Sequence, residues 1–71
     1  MKLLVIVEPT DSVYSAWSPD LPGCATTGPT RSLVESRMAS AAAMHIEGLR
    51  EAGEPVPTPR AYAASVEVAG L

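Results

Sequence analysis

The chain has 71 residues and a formal net charge of −3, which limits it to one small domain. A chain of this length buries only about 60% of the surface that its unfolded form exposes, so its stability depends on good packing or on self-association. One cysteine and one histidine exclude an internal disulfide framework and a zinc cluster of these ligands. The acidic balance disfavours a phosphate-binding surface and favours a basic partner. We therefore expect no cofactor, no metal and no direct binding of nucleic acid.

The first predicted strand covers residues 2–9, where five apolar residues follow one another from Leu3. Leu4 and Ile6 point to one face of this strand and their apolar neighbours point to the other, as in a strand covered on both sides. The apolar run is too short for an export signal or a membrane span. We therefore expect a cytoplasmic protein that does not enter the membrane.

Two further strands are predicted at residues 12–18 and 23–27, with a tight turn between them. Pro22 and Gly23 occupy the two central positions of a type II turn, because proline presets φ at the first and glycine tolerates a positive φ at the second. The three strands together predict an antiparallel sheet built from two consecutive hairpins.

A helix is predicted at residues 31–52, with Thr30 or Ser32 as its N-cap and Gly53 just after its last residue. One apolar face recurs at helical spacing. This face comprises Val34, Met38, Ala41, Ala42, His45 and Leu49.

The helix is followed by Pro55, Pro57 and Pro59, which exclude further helix and predict an extended return. A fourth short strand is predicted at residues 62–68, where apolar residues alternate weakly. One helix covers only one face of such a sheet. The other face, with Leu4 and Ile6, requires a second copy of the chain or a partner protein as its cover.

Residues with catalytic potential show no productive arrangement. A two-metal nuclease needs carboxylates that converge on ions about 4 Å apart, and the acidic residues lie on separate elements. His45 is interpreted as a packing residue and Cys24 as a small buried hydrophobe, since neither has a partner that would activate it. We therefore expect a protein that is not an enzyme. The acidic residues considered are Glu8, Asp11, Asp20 and Glu35.

The run from Tyr14 to Gly28 reads Tyr-x-Ala-x-x-Pro-Asp-Leu-Pro-Gly-Cys-x-Thr-x-Gly and resembles the signature of the HicB antitoxin family. The resemblance continues through residues 38–49 and into Glu-Ala-Gly-Glu-Pro-Val-Pro-Thr-Pro at residues 51–59. It therefore covers nearly the whole chain, and the order of its parts is more specific than any single dipeptide.

The resemblance implies an α+β domain of β-β-β-α-β order over residues 1–71. This is a partial RNase H-like sheet of three to four strands with one helix on one face, and we expect no separate DNA-binding domain. It implies an antitoxin that sterically covers a small basic RNA-cleaving HicA-type toxin and that forms homodimers or higher oligomers. The alternative is a solitary, self-associating structural or regulatory module without a toxin.

Two sets of residues are predicted to make these contacts. The predicted partner-binding residues are Tyr14, Trp17, Asp20, Leu21 and Pro22. The predicted self-association face contains Leu4 and Ile6.

Overall fold

The computed structural model describes residues 1–70 and confirms an α+β arrangement of β-β-β-α order. The strands are β1 (Ile6–Pro9), β2 (Tyr14–Trp17) and β3 (Ala25–Gly28), and they precede the single helix α1 (Arg31–Glu51). Both strand pairs are antiparallel and the sheet order is β1-β2-β3. The two consecutive hairpins predicted from the sequence are therefore formed.

One row of residues across the sheet defines the face that the helix covers. Val7 lies opposite Ala16, and Ala16 lies opposite Thr26. Ala16 is fully buried, because its small side chain lets α1 approach the middle strand. β1 is shorter than predicted, since β2 ends at Trp17, opposite Ile6, and leaves residues 2–5 beyond the paired region.

The turn between β2 and β3 is held by its own backbone. The Leu21 N–H donates to the Ser18 carbonyl and the Cys24 N–H donates to the Leu21 carbonyl, both at 3.3 Å. The Ser18 hydroxyl also accepts from the Asp20 N–H at 3.2 Å. Gly23 has φ = +82°, so the positive φ that the sequence predicts there is confirmed.

Thr30, rather than Ser32, is the N-cap of α1. Its Oγ1 accepts from the Leu33 N–H at 3.1 Å, which satisfies one of the free donors of the first turn. Farther along, Arg37 donates from Nη1 to the Thr27 carbonyl at 3.0 Å and ties the helix to β3.

The helix ends in a Schellman motif, as the glycine at residue 53 predicts. Gly53 has φ = +71° and donates to the Arg50 carbonyl at 3.1 Å, while Glu54 donates to the Leu49 carbonyl at 2.8 Å. These bonds stop the helix and turn the chain into the proline-rich segment.

The core lies between α1, the face of the sheet that α1 covers, and the β2–β3 turn. The predicted apolar face of the helix is confirmed at Val34 and Met38, which are buried, and at Ala41, Ala42 and Leu49, which pack against them. Ile46 also packs there, although the sequence interpretation omitted it. His45 is only half-buried. The buried hydrophobic residues are Ala16, Leu21, Cys24, Val34 and Met38.

The fourth strand predicted at residues 62–68 is not formed within residues 1–70. Every residue from 62 to 70 is exposed, and the radius of gyration is 14.3 Å. A compact domain of this length has a radius of gyration of about 11 Å. The prediction is wrong for this chain because alternation makes a segment suitable for a strand but does not bring it to an edge.

Candidate protein-binding face

The sheet has an outer face on the side opposite α1. All three strands contribute residues to this face. Ile6, Trp17 and Ala25 lie side by side in one row across this face. Ser15 lies in the next row, opposite Glu8. Trp17 is 41% exposed. The outer face therefore presents a large aromatic side chain that α1 does not cover.

Trp17 is held in place by Glu8. The indole Nε1 donates to Glu8 Oε1 at 2.7 Å, across the β1–β2 hairpin. A hydrogen bond to a carboxylate is about twice as strong as a neutral one, so it fixes the ring orientation. The pair offers an ordered aromatic surface next to a negative charge, and a basic protein can use both.

The structure resolves which of the two strand aromatics belongs to the interior. Tyr14 lies on the helix side of β2 and packs against the core, whereas Trp17 lies on the outer face. The sequence alone left this open, because the two residues occupy opposite faces of one strand. Glu8 was not predicted as a site residue. Its position opposite Ser15, diagonal to Trp17 on the same face, is visible only once the register is known.

The turn residues have different surroundings. Leu21 is buried in the core and only 2% exposed, whereas Pro22 is exposed at the tip. Both carboxylate oxygens of Asp20 accept from the Ala61 N–H, at 3.0 and 3.3 Å. The five predicted partner-binding residues therefore do not form one exposed patch. Asp20 and Leu21 fix the turn, and Asp20 also holds the chain at Ala61.

Leu4 and Ile6 are partly buried, and neither packs against the core cluster. Ile6 is the cross-strand neighbour of Trp17, which places it on the outer face. These two apolar side chains extend the surface around Trp17 toward the start of β1.

The surroundings of Cys24, the candidate nucleophile, and of His45, the candidate base, are those of residues with a structural role. Burial raises the pKa of the Cys24 thiol, which favours its neutral form. The ring of His45 lies beside the turn at Gly23.

Within residues 1–70, no group of three or more His, Cys, Asp or Glu side chains is placed to hold a metal ion. In the same stretch, α1 does not combine sufficient length with the apolar character that a membrane-crossing helix needs.

The sheet, the turn and the helix just described all fall within a match to a known protein family. Residues 3–69 match the family model described as a HicB_like antitoxin of bacterial toxin-antitoxin system. Comparison with curated proteins and with solved structures gave no match. Because the family model spans nearly the whole chain, this protein belongs to the HicB-like antitoxins of bacterial toxin–antitoxin systems.

Proposed function

We propose that this protein binds a small basic HicA-type RNase in the cytoplasm and occludes its catalytic or RNA-binding surface, with no chemistry of its own. The observation that carries the proposal is the family match over residues 3–69, and membership indicates a non-catalytic regulatory role. The net charge of −3 supports a basic partner, because complementary charge speeds association and selects against other acidic proteins.

Trp17 is the proposed anchor of the interface. Exposed tryptophans are among the residues that contribute most to binding energy, and this one is already oriented by Glu8. Pro22 adds a second direct contact at the turn tip, while Asp20, Leu21 and Tyr14 hold these contacts in place from the turn and the core side.

The outer face alone is small for a stable complex. Three strands spaced about 4.8 Å apart, each with four residues rising about 3.4 Å, cover roughly 200 Å². A standard interface buries about 800 Å² on each partner. The toxin contact therefore extends beyond the outer face, onto the turn at Pro22 and onto Leu4 ahead of β1.

The test is co-purification with any small basic protein whose gene adjoins the gene of this one, followed by an RNA-cleavage assay. We expect a stoichiometric complex that no longer cleaves RNA. Trp17 is the only tryptophan, so its fluorescence reports binding directly. Cleavage that proceeds equally fast with and without this protein would reject the proposal and favour the solitary module.

A matched pair of variants locates the interface. Trp17→Ala is expected to weaken binding roughly 30-fold, the lower end for an energetic hot spot. Leu33→Ala is the control, because Leu33 has a similar exposed fraction, 37%, but lies on the first turn of α1. Equal losses for the two variants would place the toxin elsewhere than on the outer face.

A further inference from the structure

We propose that two copies of this protein exchange their C-terminal tails, defined as residues 62–68, so that each tail adds a strand to the free edge of β1 in the other copy. The tail then closes an apolar groove between β1 and α1. This inference does not depend on the toxin, so it can fail while the proposed antitoxin function holds, and the reverse.

The groove is a consequence of where the helix lies. α1 packs chiefly on β3 and β2 and contacts β1 least, which leaves a gap of about 510 Å³ beside β1. Every residue that lines this groove is apolar except Glu35. The sheet side is formed by Leu3, Val5 and Val7. The helix side is formed by Met38, Ala42, Ala43 and Ile46.

The sheet has two edges, and they are not equivalent. The edge at β3 already has a side-chain partner, because Arg37 donates to the Thr27 carbonyl. The edge at β1 continues into residues 2–5, which have no strand partner within the described chain. An edge strand of this kind is a template for pairing with another segment, so β1 is the edge that receives a strand.

The tail has the composition of that missing strand. Tyr62 and Val66 are each 83% exposed, and Val68 is also exposed. Together with Ala64 they recur at every second residue, so a strand conformation places all four on one side. This apolar side is complementary to the apolar lining of the groove. The intervening residues, Ala63, Ser65 and Glu67, would point to the opposite side.

The length of the tail suits the β1 edge, and its exposure in its own chain favours a second copy as the acceptor of the strand. Seven tail residues span about 23 Å as a strand, close to the 26 Å of residues 2–9. The tail leaves its own domain at Ala61, which Asp20 holds at the β2–β3 turn, and three prolines stiffen the segment before it. Within residues 1–70 the tail lines no part of its own groove and every tail residue is exposed, so the proposed exchange about a two-fold axis would bring each tail to the groove of the other copy.

Light scattering after size exclusion tests the exchange with two matched pairs of variants. We expect a dimer for the wild type at tens of micromolar, and monomers for Val66→Lys in the tail and Ala43→Lys in the groove. Ser65→Lys and Ser40→Lys are the controls, which change the opposite side of the tail and a helix position outside the groove. All four positions are exposed, so none of these changes disturbs the core.

Mixing the two disruptive variants gives a second readout. A pair formed by Val66→Lys and Ala43→Lys keeps one intact tail opposite one intact groove, so the mixture is expected to recover heterodimers. A wild type that stays monomeric at 100 µM, a dimer that survives both changes, or a mixture that stays monomeric would each overturn the exchange.

Discussion

The same substitution at two glycines is expected to change stability in opposite directions. Gly28 ends β3 directly beneath the first turn of α1, where a Cβ would lie 3.0 Å from Val34 N and 3.1 Å from Val34 Cα. Gly48 lies within α1 and a Cβ there meets nothing within 4 Å. Gly28 belongs to the signature run, and the close contact gives a physical reason for a glycine at that position.

The expected magnitudes follow from what surrounds each site. At Gly28 the obstructing atoms are helix backbone, and Val34 N–H is already bonded to the Thr30 carbonyl at 3.0 Å. Overpacking of this kind destabilises a fold by about 1–3 kcal/mol. At Gly48, alanine reduces the freedom of the unfolded chain and favours helix, which stabilises by about 0.5–1 kcal/mol.

Urea unfolding followed by Trp17 fluorescence measures both effects. A slope of about 1 kcal/mol per molar urea is typical for a domain this small. The midpoint should fall by about 1–3 M for Gly28→Ala and rise by about 0.5–1 M for Gly48→Ala, at one fixed protein concentration. A Gly28→Ala protein as stable as the wild type would show that β3 and α1 do not approach as closely as described.

Three further changes test the cap, the tail anchor and the buried thiol. Thr30→Ala should cost about 1 kcal/mol in the free energy of unfolding, since it removes the N-cap acceptor, while Ser32→Ala should be close to neutral in the same urea assay. Asp20→Ala should speed amide exchange at Ala61 about tenfold, because a hydrogen bond to a carboxylate is lost; Asp20→Asn keeps an acceptor and should change it less. Burial raises the pKa of Cys24 above its ordinary value of 9.0, so the folded state holds this proton more tightly than the unfolded one. The resulting stability is complete below pH 9 and is lost as the pH rises through the higher folded pKa. A comparison of midpoints at pH 8 and pH 10 should therefore show a fall that is smaller in Cys24→Ala, and an equal fall in both proteins would contradict this assignment.

Features set by local chemistry were predictable from the sequence. Gly23 and Gly53 adopt the positive φ values expected of a turn and of a helix end. Thr30 was one of two candidate caps, and both lie within one turn of the observed start. Each of these outcomes depends on only a few neighbouring residues, which is why a sequence pattern is sufficient for them.

Features set by distant contacts were not predictable. The alternation of Tyr14 and Trp17 does not indicate which of the two residues points toward the core, because that depends on where the helix packs. Leu21 was predicted to contact a partner but is buried in the core. Prediction from the sequence is limited in the same way, and more strongly, for the tail. Its apolar alternation is visible in the sequence, while the edge that pairs with it is not.

The exchanged dimer also bears on the size of the proposed toxin surface. If the apolar side of the tail fills the groove, its other side joins the outer face as a fourth strand and widens that face by about 4.8 Å. The added residues include Glu67, which would bring a second carboxylate to the face that already carries Glu8. Self-association would thus enlarge the surface around Trp17 by about a third and make it more acidic. Both changes favour a basic partner. The tail exchange and the toxin contact would use different surfaces, and the first would strengthen the second.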